Sequence, residues 1–135
     1  EPFQGCKTGP LFAEAYFEHD VGLWTALGLP KCQDLAERLN LGQIEFVHLD
    51  AAQLLKHALG VRRKYREGQL VLLWYHVEVP EAEVFSKEIR LFANSVDVDL
   101  GFRSVTYQEA FASLSHEPAA NHDHVEYLRS RYFTV

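Results

Sequence analysis

An α/β fold, with α+β as the neighbouring possibility, is what this chain predicts: a βαβ unit with strands at about 69–78 and 102–107, flanked by several helices. Two runs of β-favouring residues, QLVLLWYHVEV from Gln69 and FRSVTY from Phe102, stand on either side of one amphipathic helical stretch. Strand, helix and strand in that length make a parallel pair with a right-handed crossover. The first run is apolar on both faces, which predicts a strand buried in the middle of a sheet.

Taken in chain order, Glu1 to Pro10 places two Gly and two Pro among polar residues and predicts a loop over 1–10. Leu11 to Phe17 and Val21 to Leu27 are helix-like in short pieces. Pro30 then opens a clearer helix through Asn40, with Leu35 and Leu39 on one face and Gly42 after its end. Ile44 to His48 alternates apolar and polar, as a short strand or an extended lead-in. Asp50 is placed to N-cap the helix DAAQLLKHALGVRRKY, in which Ala51, Leu54, Leu55, Ala58 and Val61 share a face. Glu67-Gly68 turns the chain into the first strand. Pro80 starts a helix over Glu81 to Val96, striped by Ala82, Phe85, Ile89, Phe92 and Val96, with Glu83 and Lys87 as an i,i+4 pair. DVDLG makes the next turn, Gln108 to Leu114 a short helix, 115–123 a loop, and His124 to Phe133 a last helix with Asp123 near its capping position.

At 135 residues the chain predicts a single domain over 1–135. Hydrophobic residues at 47% and aromatics at 13% belong to a globular protein, and a net charge of -6 rules out a general electrostatic grip on nucleic acid or an anionic membrane, leaving only a local patch for such contacts. No apolar run approaches the roughly 18–20 residues of a membrane span. Cys6 and Cys32 lack zinc-site spacing and disulfide density, so both are expected as inert free thiols in a reducing, cytoplasmic setting. Two strands, or three at most, do not make a self-sufficient parallel sheet. An incomplete core is therefore expected on the N-terminal side, as in a fragment of a longer domain. A homo-oligomer in which partner chains complete each other's sheet would meet the same deficit.

Three groups of side chains carry candidate chemistry. His116, His122 and His124, with Glu117 and Asp123, supply imidazoles and carboxylates of the kind a zinc or nickel site needs, but in a Pro/Ala/Asn loop that nothing fixes. Lys56, Arg62, Arg63, Lys64 and Arg66, with His57, form a basic cluster in an acidic chain. It can hold a nucleic-acid backbone, or simply complement the negative end of its helix. His76 falls within the first strand as a core histidine, and His48 with Asp50 and His19 with Asp20 are weak pairs. No phosphate loop, nucleophile elbow or other catalytic signature stands in the sequence, so no residue is assigned as catalytic.

EPF at the start, LDAAQLLKHALG at Leu49 to Gly60, LVLLWYHV at Leu70 to Val77 and FRSVTYQEAF at Phe102 to Phe111 together resemble the C-terminal part of a bacterial restriction-endonuclease-like family of the PD-(D/E)XK nuclease superfamily. The likeness runs from residue 1 to about 114 and lies in framework segments. It implies a restriction-endonuclease-like fold, action on DNA by a full-length member, and Mg²⁺ held by an acidic residue on one strand and a Glu-x-Lys on the next. Those strands would precede Glu1, so the resemblance implies an inactive portion with no cofactor of its own. It places Gln53 and Lys56 as accessory residues on the helix after Asp50. Glu78, followed by Val79-Pro80, and Ser86-Lys87-Glu88 do not supply the missing pattern.

Overall fold

The computed structural model describes residues 10–133. It is a mixed α/β chain, mostly helical, with one small two-stranded parallel sheet. After a 3-10 turn at Glu14–Tyr16 come α1 (Leu23–Ala26), α2 (Pro30–Asn40), α3 (Ala51–Lys64), β1 (Gln69–Trp74), α4 (Pro80–Val96), β2 (Gly101–Thr106), α5 (Tyr107–Ser115) and α6 (His122–Tyr132). The long helices stand where periodicity and caps put them: Pro at the first position opens α2 and α4, and the Asp50 carboxylate accepts from the Gln53 amide at the start of α3. The predicted loop over 1–10 lies outside the described residues apart from Pro10.

The chain gathers into two compact units. One takes in Glu1–Val71 and Glu78–Arg103, the other Leu72–Val77 and Ser104–Val135.

The first unit holds almost all of the core. Trp24, Leu29, Leu35, Leu55, Phe92 and Val96 are fully buried, and α2 packs against α1, α3 and α4. Trp24 is the pivot of an aromatic group: Tyr16 stacks on it at 5.6 Å, Phe12 meets it edge-on at 5.7 Å, and its indole N–H donates to the Leu55 carbonyl at 2.9 Å.

Three buried polar side chains satisfy the backbone at the ends of these elements. Gln33 Oε1 accepts from the Trp24 amide at 3.1 Å in the first turn of α1. Gly22, at φ +84°, stands where any Cβ would run into that Gln33 amide group, so the position requires glycine both for its backbone and for its space. Asp99 Oδ2 accepts from the Cys32 amide at 2.7 Å, which gives α2 an N-terminal acceptor that its own N-cap, Leu29, does not provide. The Glu88 carboxylate accepts from the amides of Val47, His48 (3.0 Å) and Leu49 (2.7 Å). That carboxylate explains why 44–48 is irregular and not the strand its alternation suggests: its amides are turned onto one side chain, not along a ladder.

In the second unit Thr106 and Glu109 form a reciprocal capping box at the start of α5. Asn121 caps α6 by accepting from the His124 amide at 3.0 Å. The last helix therefore starts at His122, two residues before its predicted start, and Asp123 sits inside its first turn instead of capping it.

The strands depart from expectation in length and in burial. β1 stops at Trp74, short of residue 78, and its residues alternate between exposed and half-buried, with Val71 at 55% and Leu73 at 44% exposure. It is not a central buried strand, because among the described residues the sheet has only β2 beside it. His76 consequently lies beyond the strand. There the Gln108 side-chain amide pairs with both of its backbone groups, donating to the carbonyl at 2.7 Å and accepting from the N–H at 3.2 Å, as a neighbouring strand would.

Candidate functional site

Among the described residues two recesses stand out, one in each unit. In the second, Tyr75, Tyr107, Phe111, Leu114, Leu128 and Tyr132 line an almost wholly apolar trough of about 440 Å³. Its floor is built by stacking: Phe111 of α5 lies against Phe133 at 4.3 Å with the rings 15° apart, and the Tyr75 hydroxyl donates to the Tyr132 carbonyl at 3.1 Å. Its rim is open, with Tyr75, Tyr107 and Tyr132 each between 44% and 51% exposed. Such a lining buries apolar surface of whatever enters it.

The basic cluster on α3 is divided by the structure among separate tasks. Arg62 donates to the Asp99 carbonyl at 2.6 Å and is thereby engaged in the fold. The Lys64 ammonium lies 5.5 Å from the Tyr65 ring centroid, and Arg66 is exposed beyond the helix. Lys56 and Arg63 alone meet at a recess, a cleft of about 260 Å³ whose other walls include Tyr16 and Leu23. The Lys56 stem is half-buried, with its ammonium 5.4 and 5.7 Å from the Phe12 and Tyr16 rings. Gln53 does not line that cleft; its side-chain nitrogen is 3.3 Å from His57 Nε2.

The histidines are not brought together. His116 terminates α5, His122 opens α6, and the His124 ring stacks on Tyr127 at 6.4 Å. Among the described residues no three His, Cys, Asp or Glu side chains converge as metal donors. The Mg²⁺ that the nuclease resemblance implies finds no fitting donor set in them.

Cys32 is fully buried, and burial first, with the neighbouring Asp99 carboxylate second, pushes its thiol up to about 12. A thiol so placed stays protonated at neutral pH. Cys6 lies outside the described residues.

Glu88, Asp99 and Gln33 went unrecognised in the sequence because each serves a backbone segment distant from it or hidden by local pattern. Glu88 reads there as one more charge on an amphipathic helix. No family model matches the chain, and neither a similar curated protein nor a similar solved structure is found.

Proposed function

We propose that the chain is a non-catalytic interaction module that associates with a second copy of itself through the apolar trough of its second unit. The observation that carries this reading is the trough itself, three exposed tyrosines around a stacked Phe111–Phe133 floor. A second copy is the favoured occupant because the trough offers an apolar lining behind a rim of half-exposed tyrosines, and an isologous contact would cover that same surface on both chains at once. Solution mass tests this: a dimer at micromolar concentration, dissociated by Tyr107→Asp, supports it, and a strict monomer up to hundreds of micromolar refutes it.

A second reading is the restriction-endonuclease-like one, in which the chain is part of a protein that acts on DNA. The parallel strand, helix and strand, and the place of Lys56 on α3, favour it. It attributes to Lys56 and Arg63 contacts with the DNA backbone, and the chain itself is inactive. Duplex DNA binding that weakens steeply with salt supports it. Binding indifferent to salt, or robust Mg²⁺-dependent cleavage by the 135-residue protein, contradicts this form of it.

A further inference from the structure

We infer that the cleft on α3 is a phosphate-binding site in which the anion seats over Gly60 between Lys56 and Arg63. The inference concerns the first unit and does not rest on self-association, while the DNA reading above draws on the same two cations.

Lys56, Gly60 and Arg63 follow one another at i, i+4 and i+7, so they share one face of α3 and all three line the cleft. Glycine is among the poorest residues for a helix interior. Nothing in the fold requires it at position 60: its backbone is helical, and a Cβ there would meet no atom within 4 Å. The contrast with Gly22, which backbone and packing both dictate, is direct. What the missing side chain provides at Gly60 is bare helix surface between two cations.

Among the described residues neither cation is held in an ion pair. The ion pairs of the described residues join Arg38 to Asp34, Lys87 to Glu83 and Arg129 to Glu126, and engage neither Lys56 nor Arg63. Arg62, the neighbour that could have competed, is turned to the Asp99 carbonyl. The wall opposite is held in place, because Tyr16 stacks on Trp24 and Trp24 is tied by its indole N–H to the Leu55 carbonyl of the same helix. At about 260 Å³ the cleft falls below the roughly 300–1,000 Å³ of sites that enclose drug-sized ligands. It suits a phosphate or diphosphate group, whether free or carried by a polynucleotide. Arg63 supplies a planar fork of donors for phosphate oxygens, and Lys56 a point charge.

The test is titration of the intact protein with pyrophosphate and, separately, with a short DNA duplex at two salt concentrations. The variants are Lys56→Gln, which keeps most of the stem against Phe12 and Tyr16, together with Arg63→Gln and Gly60→Ala. Binding of pyrophosphate that weakens at least tenfold in each glutamine variant and severalfold in Gly60→Ala is the expected result, while Gly60→Ala raises the thermal midpoint. The opposite signs for Gly60→Ala separate occupancy of the cleft from loss of structure. Binding of the duplex alone, with the same losses in all three variants, also supports the site and assigns its phosphate to a nucleic-acid backbone. No binding of either anion at millimolar concentration, or binding that all three variants leave unchanged, overturns it.

Discussion

The two units of this chain solve the same problem in opposite ways. The first buries large side chains and, beside the local Asp50 cap of α3, satisfies backbone amides with polar groups brought from far along the sequence: Asp99 serves Cys32, and Glu88 serves 47–49. The second satisfies its helix ends locally, with the Thr106–Glu109 box and Asn121, and leaves its rings at the surface. Val125 is the one buried residue among those described in it. Burying a valine contributes about 2 kcal/mol, whereas fixing the backbone of each residue costs about 1–2 kcal/mol. Half-buried rings offset part of that cost, so the C-terminal unit is expected to be the less stable of the two, as binding elements often are.

The sharpest way to break the first unit is Trp24→Ala, which removes the pivot of the aromatic group and leaves the recess it filled empty; a loss of about 4–5 kcal/mol is expected in chemical denaturation. Glu88→Ala comes next. It abandons three backbone amides at once, and a loss of about 3 kcal/mol is expected, with Glu88→Gln recovering only part because a neutral amide offers one acceptor oxygen. A loss below about 1 kcal/mol would show that water replaces the carboxylate easily.

Phe111→Ala makes the complementary change in the second unit. It is expected to lower global stability by about 1 kcal/mol or less while weakening self-association at least tenfold, measured by sedimentation. An effect on stability as large as that of Trp24→Ala would erase the distinction between the units.

The last expected effect is absent at neutral pH and confined to alkaline pH. The folded state holds the Cys32 thiol near 12 against an ordinary value of 9.0, so it binds a proton that the unfolded chain has already released. Stability from this source is complete below pH 9 and is lost as pH rises toward 12. Wild type should therefore lose stability more steeply than Cys32→Ala between those limits, with identical slopes for the two proteins at neutral pH.

The helices were legible to the extent that their signals are local. Pro30, Pro80 and Asp50 act on the residues immediately after them, and the stripes of α2, α3 and α4 are periodic over several turns. The first strand was legible as a strand but not in its surroundings. Apolar composition from Leu70 to Val77 states what the side chains would prefer, not whether a third strand is there to cover them. At α6, Asn121 and Asp123 are both competent caps, and only the backbone geometry at Asn121 decides between them. The Lys56 and Arg63 side chains were visible as charge, but the cleft they share needs Tyr16 and Leu23 from another segment. The trough draws Tyr75, Phe111 and Tyr132 from three segments, so no spacing in the sequence announces it.

Hydrogen exchange of the intact protein, followed at low and high concentration, addresses the contrast between the units most directly. Amides of α2, α3 and α4 should be strongly protected at every concentration, while those of α5 and α6 should exchange fast in dilute protein and gain protection as the concentration rises. Strong protection of α5 and α6 in dilute monomer, unchanged on concentration, would contradict both the weakness of the second unit and its cover by a second copy.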